Sequence, residues 1–325
     1  MTKLGYQIPN FTYPGVETAQ LFDVVARQAA AADRSGFDTV LLMDHFYQLP
    51  HLGNPDANML ECYTALGALA RETSTVRLAA LVTGNTYRNP ALLAKIITTL
   101  DVVSGGRAQL GIGAGWFELE HDSLGFEFGT FTDRFEKLEE ALQIILPMLR
   151  DETPTFEGAH YRVRDAINHP APISRIPVMI GGSGEKKTLR MVAQYADESN
   201  LTSPAPELPH KLEVIAGHCE RLGRDRSTLT VSQHLNVVMA PTHEQAFDEL
   251  ADALALRDID LRNADDDFRG MIESMVILGD PDEVGERLAG VVELGAEGLT
   301  MSAPANGYLP ERVEALGEVA SKVLA

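Results

Sequence analysis

The dipeptide Asp44-His45 carries side chains that could transfer protons. It directly follows the apolar run 39–43. Histidine exchanges protons near neutral pH, and a neighbouring aspartate can orient it or contact a ligand. A helix-capping aspartate beside a packed histidine would give the same pattern. Proton transfer by His45 is therefore one of two interpretations.

A second motif, the glycine-rich turn 181–184 (GGSG), connects a predicted strand to a predicted helix. Glycine lets the backbone approach a ligand and adopt positive φ, and the start of a helix offers unpaired N–H groups. Lys186, Lys187 and Arg190 follow at once, as a local cationic cluster in a chain of net charge −20. The combination predicts a phosphate-binding turn; a solvated glycine-rich turn is the alternative.

A third motif, 111–116 (GIGAGW), ends another predicted strand. Its small residues are explained equally well by close packing inside a barrel and by a ligand-facing role. Trp116, the only tryptophan, could contact a flat ligand or cover an insertion.

The sequence lacks the motifs that are typical of several other classes of enzyme. None of the lysines falls at the ligand-facing end of a predicted strand, which disfavours a Schiff-base aldolase. The 9 histidines form neither H-x-H nor H-E-x-x-H, so we predict no metal site. The nucleophile motif G-x-S-x-G is absent as well. We therefore expect a cofactor to carry the reaction of a small-molecule substrate.

Composition limits the partners and the compartment. Lys and Arg number 27 against 47 Asp and Glu, which disfavours binding to nucleic acid or to anionic membranes. Cys62 and Cys219 lie far apart and form no CxxC motif. The first residues lack the apolar core of a signal peptide, and no apolar run reaches about 18 residues. We expect a cytoplasmic protein without membrane segments.

The elements that must position these motifs alternate between short apolar strands and amphipathic helices. The predicted strands span 4–8, 39–43, 76–82, 108–112, 177–180, 198–202, 229–239 and 298–302. The predicted helices span 18–35, 61–73, 91–103, 133–149, 185–195, 208–222, 282–294 and the segment from 310 onward. Apolar strands joined by helices indicate a parallel sheet, and eight such units predict a closed (β/α)8 TIM barrel. An open doubly wound sheet is the alternative, but no G-x-G-x-x-G follows the first strand.

The length fits one barrel domain over residues 1–325 with insertions after strands. Such a barrel needs about 250 residues, which leaves roughly 75 for insertions. We expect them near 45–60, 116–130, 151–176 and 255–280, where the helical or strand periodicity lapses. Barrels of this type bind ligands at the carboxyl ends of their strands, so the three motifs should share one mouth.

The motifs together resemble the luciferase-like monooxygenase superfamily. The matching segments are GFDTVLLMDHF, LVTGNTYRNPALLAKIITTLDVVSGGRAQLGIGAGWFELEH, RFEKLEEALQIILPML, TFEGAHYRV and IPVMIGGSGEKKTLRMVAQYAD. Within it, the chain is most similar to the branch that depends on the deazaflavin coenzyme F420. The resemblance implies a (β/α)8 barrel, often a homodimer, that transfers a hydride between coenzyme F420 and an organic substrate.

The resemblance also implies roles for individual residues. His45 would handle a proton beside the deazaflavin ring, and Thr202 would lie near the substrate. A bulged third strand at Leu81-Val82, often with a non-proline cis peptide, would back the ring. The residues implied in cofactor binding are Asp44, Leu81, Val82, Ala114, Gly115, Gly181, Gly182, Ser183 and Gly184.

Two positions depart from the F420-dependent sugar-phosphate dehydrogenases of this family. Their glutamate after the strand-four glycines is replaced by Trp116, and their tryptophan after Asp-His by Leu49. Both changes argue against a sugar-phosphate substrate and leave the general acid or base open. Glu118, Glu120 and His121 lie nearby, although we expect them in an exposed polar loop. An FMN-dependent monooxygenase with a separate reductase and a non-catalytic flavin-binding protein are the alternative functions.

Overall fold

Parallel strands form a closed barrel in the computed structural model, which describes residues 3–325. The strands are β1 (Leu4–Ile8), β2 (Thr39–Leu42), β3 (Arg77–Ala80), β4 (Thr83–Gly84), β5 (Leu110–Gly113), β6 (Phe156–Glu157), β7 (Arg162–Val163), β8 (Val178–Gly181), β9 (Glu198–Leu201), β10 (Thr230–Met239), β11 (Ile277–Gly279) and β12 (Gly298–Ser302). In the main sheet they follow the order β3-β2-β1-β12-β10-β9-β8-β5-β4. A parallel bridge between Leu78 and Ala108 joins β3 to the start of β5 and closes the ring.

The third barrel strand has two halves, β3 and β4, separated by Leu81 and Val82, whose shared peptide bond is cis. Counting these halves as one gives eight barrel positions, which confirms the predicted (β/α)8 fold. β11 pairs only with the C-terminal end of β10, and β6 and β7 form a separate antiparallel pair.

Helices surround the barrel. They are α1 (Leu21–Arg34), α2 (Cys62–Glu72), α3 (Pro90–Ser104), α4 (Glu118–Leu124), α5 (Phe131–Met148), α6 (Thr188–Tyr195), α7 (Leu208–Leu222), α8 (His243–Ala255), α9 (Asp266–Ser274), α10 (Pro281–Glu293) and α11 (Pro310–Val323). α3 shows why its sequence begins and ends a helix there. The Asn89 side chain accepts from the backbone N–H of Ala91 and Leu92, Pro90 opens the first turn, and Gly105 ends it at φ 73°. No helix in the described part of the chain has the length and apolarity needed to cross a membrane.

Alternate residues of the strands face the helices and the barrel interior. Tyr6, Val40, Leu78 and Ile112 are among the fully buried residues of the large outer core. The small interior cluster contains Leu41, Ala79 and Met179. Toward the mouth, the inward-facing positions of the strands carry buried polar side chains, among them Gln7, Asn200 and Ser302. The interior at this end can therefore bind a polar ligand.

Two predicted boundaries differ from the structure in ways that bear on the site. The third strand does not run through 82, because Val82 turns into space left by glycines on β5 and β8. α6 begins at Thr188 rather than at 185, since Glu185 remains in the preceding loop and accepts a hydrogen bond from Lys211 of α7 at 2.7 Å. α4, α8, α9, β11 and the β6–β7 pair were not predicted. The division into one domain with four insertions stays a prediction.

Candidate active site

A cavity of about 670 Å³, the mouth cavity, lies at the carboxyl ends of the barrel strands. Among its lining residues are eight of those predicted for the site: Asp44, His45, Leu81, Val82, Ala114, Gly115, Gly181 and Gly182. Thr202 lines it too, whereas Ser183 and Gly184 lie outside its lining. The three motifs of the sequence therefore do meet at one mouth.

His45 is held by a buried carboxylate. Its Nδ1 donates to Glu120 Oε2 at 2.9 Å, and its ring makes edge contacts with Trp116 and Phe117 at 5.8 Å. A carboxylate can only accept, so Nδ1 is the donor in this pair, and Nε2 is the atom with the lone pair whenever the ring is neutral. This hydrogen bond fixes the orientation of the His45 ring at the cavity wall.

Glu120 is the centre of a small polar network. Besides His45, it accepts from the Tyr87 hydroxyl and from the backbone N–H of Phe46 and Tyr47, at 2.5 and 2.8 Å for the two amides. Burial alone would raise the pKa of Glu120, but the hydrogen bonds from His45, Tyr87 and the Tyr47 amide lower it below its ordinary value. The carboxylate is therefore charged and can stabilise an imidazolium at His45.

The expectation of an exposed polar loop after Trp116 is wrong for Glu120 and His121, which are fully buried, although Glu118 is exposed. The segment forms α4, which places residues three and four apart on one face and turns Glu120 and His121 inward with Phe117. That spacing, together with Gly125 as the helix stop, was the signal in the sequence.

Asp44 forms a buried ion pair with Arg88. Its carboxylate accepts from two nitrogens of Arg88 at 2.5 and 3.0 Å, and Arg88 also donates to Glu61 at 2.6 Å. Burial raises the pKa of Asp44, and the guanidinium opposes that rise. Arg88 also lies over the Tyr63 ring at 4.7 Å. Asp44 thus fixes the start of the loop that carries His45.

The bulge between β3 and β4 fits against glycines. A Cβ atom at Gly181 would lie 2.8 Å from Val82 Cγ1, and one at Gly113 would lie 3.0 Å from Val82 Cγ2. Neither position leaves room for a larger side chain unless Val82 moves. The glycines of β5 and β8 therefore shape the wall that Val82 presents to the mouth cavity.

The glycine-rich turn is ordered by its own contacts. Gly182 has φ 115°, a conformation that side chains strongly disfavour. The Ser183 hydroxyl accepts from the backbone N–H of Thr202 and Ser203, both at 3.0 Å, which ties the turn to the end of β9.

The predicted cationic cluster after this turn is wrong in one member. Arg190 donates to both oxygens of Glu139 at 2.9 and 2.6 Å, so its charge is compensated. Lys187 lies over the rings of Phe131 and Phe135 at 5.4 and 5.5 Å, and both rings line the mouth cavity. The Lys187 side chain therefore lies near the cavity rim.

The rim is aromatic. Trp116 stacks on Phe117 with ring centroids 5.2 Å apart and remains 58% exposed, as does Phe131 at 59%. Arg134 also lines the cavity and donates to the Gly115 carbonyl at 3.1 Å.

Within residues 3–325, no group of three or more His, Cys, Asp or Glu side chains could hold a metal ion.

Comparison with known proteins identifies the family. The sequence model for luciferase-like monooxygenases matches residues 2–298. The chain belongs to the luciferase-like monooxygenase family. Its membership confirms the resemblance that the motifs around residues 44, 116 and 181 indicated.

Individual relatives in this family include coenzyme F420 enzymes. The F420-dependent glucose-6-phosphate dehydrogenase of Microbacterium testaceum is 30% identical over 290 residues, covering 84% of this chain and 85% of that protein. The coenzyme F420 dependent tetrahydromethanopterin reductase of Methanopyrus kandleri has a TM-score of 0.78 at 19% identity, covering 100% of this chain and 99% of its own. An F420-dependent secondary alcohol dehydrogenase, solved with an F420-acetone adduct, has a TM-score of 0.80 at 19% identity with the same coverage. At these identities the two structures establish the shared fold.

Proposed function

We propose that this protein is an oxidoreductase that transfers a hydride between coenzyme F420 and an organic substrate. The observation that carries the proposal is the joint placement of the Leu81-Val82 bulge, the glycine-rich turn and the His45–Glu120 pair around one cavity. The F420-dependent relatives support the choice of cofactor.

The residues present fit a phosphorylated deazaflavin. The mouth cavity of about 670 Å³ lies within the range of ligand sites, and its wall at Gly181 and Gly182 carries no side chain. Leu81 and Val82 offer an apolar surface to a flat ring, as the resemblance implied. Ser183 and Gly184 would hold the phosphate through their backbone N–H groups, with Lys187 near the rim. The Gly182 N–H donates to the Asn200 carbonyl at 2.9 Å, so Gly182 would contribute its open backbone rather than a donor.

When bound, coenzyme F420 accepts or donates a hydride at its deaza carbon. The chain itself supplies the proton step: His45 Nε2 takes a proton from a substrate hydroxyl or returns one to a carbonyl. Glu120 keeps the imidazole oriented and stabilises its charged form, because its own pKa is lowered. Trp116 and Phe131 lie at the rim, where they would shield the reacting groups from water when substrate is bound.

Glucose 6-phosphate, the substrate in the relatives' names, is the first compound to assay. The mouth cavity gives this substrate limited support. Of the described residues that line it, Arg134 is the one lysine or arginine, and its Nε and one terminal nitrogen donate to backbone carbonyls. Trp116 and Leu49, where the sugar-phosphate dehydrogenases have glutamate and tryptophan, add to this argument.

We also propose a cytoplasmic homodimer. Leu92, Ile96 and Val103 share one face of α3, and Leu92 and Val103 are 53% and 37% exposed. This apolar face, the α3 face, supports self-association. Cys62 and Cys219 are unpaired and buried, which fits a reducing compartment.

The cofactor is tested by titration. Trp116 is the only tryptophan and lines the mouth cavity, so quenching of its emission reports binding there. We expect coenzyme F420 to bind at least about tenfold more tightly than FMN. Tighter binding of FMN, together with oxygen consumption when reduced FMN is supplied, would establish the monooxygenase instead. Binding without turnover of any alcohol or ketone would favour the non-catalytic alternative.

A further inference from the structure

A second cavity, the outer cavity, adjoins the mouth cavity. It measures about 390 Å³ and lies between the loop after β2, α8 and the segment 256–276. His51, Leu52 and Asn236 line both cavities, so the two meet at these residues. A substrate that has its reacting group in the mouth and reaches the outer cavity would pass these three residues.

The inner end of this combined site is polar and incompletely paired. His234 projects from β10 into the mouth cavity, and its buried Nδ1 has no hydrogen-bond partner. Burial, and then the nearby His51, lower the pKa of His234 to about 4, so its ring is neutral at physiological pH. Asn236, two residues further on, accepts from the Ser302 hydroxyl at 2.8 Å and keeps its amide N–H groups for a ligand.

These groups suit an uncharged oxygen. A neutral imidazole has one N–H and one lone pair, so it can donate to a carbonyl or accept from a hydroxyl. His234 lines the mouth cavity and is half-buried, and no described residue pairs with its Nε2. Nε2 of His234 and the amide of Asn236 are therefore placed to pair with the oxygen on the carbon that reacts.

The outer cavity has mainly apolar walls. Its apolar lining includes Leu52, Leu250, Leu254, Ile259, Ile272 and Val276. Each methylene group buried against such a wall strengthens binding by about fourfold. The outer cavity therefore favours a ligand with an extended hydrocarbon part.

The charged residues of the outer cavity mostly have partners. Glu249 accepts from Arg312 at 2.6 Å, and Asp252 accepts from Arg262 at 2.8 Å. The Arg257 guanidinium donates to the carbonyls of Pro50 and His51 at 3.3 and 3.0 Å. Because Glu249 and Asp252 are ion-paired within the protein, they offer little to an ammonium group.

We propose that the substrate is a secondary alcohol or a ketone on an extended apolar body, with its oxygen at His234 and its body in the outer cavity. The proposal rests on the hydride-transfer function proposed above. In the oxidising direction the carbinol carbon loses a hydride to coenzyme F420 and the hydroxyl loses its proton to His45. The C–H and O–H bonds break and a C=O bond forms; reduction by the reduced coenzyme reverses each change.

Calorimetric titration with 2-butanone and 2-octanone tests this proposal. The two ketones share a head group and differ by four methylenes, and neither can react while coenzyme F420 is oxidised, so the heats report binding alone. We expect 2-octanone to bind at least about 20-fold more tightly than 2-butanone. Equal affinity of the two ketones, or tighter binding of glucose 6-phosphate than of 2-octanone, overturns the proposal.

Matched variants separate the two ends of the site. Ala253 lines the outer cavity on α8, and Ala255 on the same helix is exposed and does not line it. Ala253→Phe should weaken the binding of 2-octanone at least about tenfold and leave the affinity for 2-butanone within about twofold. Ala255→Phe should change neither. Equal weakening of both ketones by Ala253→Phe contradicts the outer-cavity assignment.

Variants of His234 test the inner end. His234→Leu should weaken both ketones by a similar factor of about ten, preserving their ratio, because the head group is common to them. His234→Gln, which keeps an N–H donor, should recover part of this loss. Unchanged affinities in His234→Leu overturn the assignment of the oxygen to His234.

Two outcomes distinguish the proposals. If coenzyme F420 does not quench Trp116, the hydride-transfer function is wrong, whatever the ketones do. If the coenzyme binds and ketone chain length has no effect on affinity, the function stands and the substrate assignment is wrong.

Discussion

At the scale of single residues, the chemistry proposed for His45 depends on Glu120. We expect Glu120→Gln to lower kcat by about 10- to 100-fold while KM and coenzyme F420 affinity stay within about twofold. The amide keeps the shape of the side chain but removes the charge that stabilises an imidazolium. The measurement is steady-state turnover of the alcohol or ketone that the binding assays identify. Glu118→Gln on the exposed face of α4 is the control and should match the unaltered enzyme. A fully active Glu120→Gln would remove the carboxylate from the mechanism.

His234 makes stability depend on pH. Its folded pKa of about 4 lies below the ordinary value of 6.5, so the unfolded chain binds a proton first as pH falls. The free energy of unfolding should therefore decrease between pH 6.5 and 4, by about 2–3 kcal/mol more than in His234→Gln. Urea unfolding across that range measures the difference. His169→Gln, at an exposed histidine, is the control for the change of residue type. Parallel curves for the protein and His234→Gln would show that His234 is not buried as a neutral ring.

Sequence patterns predicted the site residues that lie at strand ends. They did not predict the residues whose role depends on tertiary contacts. His45 and the glycine-rich turn follow apolar strands directly, so the barrel rule alone placed them at the mouth. Glu120 reaches His45 across 75 positions, and only the folding of α4 makes that contact. His234 lies inside a long strand, where one residue in two faces the interior.

At the scale of elements, the glycines of β5 and β8 determine the shape of the bulge. Gly181→Ala should push Val82 out of place, since the new Cβ would lie 2.8 Å from its Cγ1. We expect at least about tenfold weaker binding of coenzyme F420 and about 1–3 kcal/mol lower stability.

The matched substitution for this test is Gly67→Ala, in α2, where a Cβ would meet nothing within 4 Å. It should leave cofactor binding unchanged and raise the free energy of unfolding by about 0.5–1 kcal/mol, because alanine favours helix. Fluorescence titration and urea unfolding of both variants provide the comparison. Normal binding by Gly181→Ala would mean that the bulge does not form the cofactor wall.

The regular elements were predictable because each barrel strand is a short apolar run bounded by turn residues. The family resemblance placed the interruption of the third strand at Leu81-Val82, together with its cis peptide, and the structure confirms both. The pattern of residues 76–82 alone does not show it, since the bulge depends on space left by glycines on two other strands. α9 and β11 were missed for a related reason. α9 has no fully buried residue and β11 has only three residues, so neither leaves a clear periodic signal.

At the scale of the whole molecule, association must overcome the repulsion between two chains of net charge −20. Salt screens that repulsion, so a dimer formed through the α3 face should tighten as ionic strength rises. Leu92 is the most exposed apolar residue of that face. Leu92→Glu places a further negative charge there and should convert a particle of twice 35.4 kDa into one of 35.4 kDa. Light scattering after gel filtration measures the mass. Leu222→Glu, at an apolar position 47% exposed on α7, should remain dimeric. A protein that is monomeric before substitution would contradict the homodimer. Equal dissociation by both variants would show that the interface is not the α3 face.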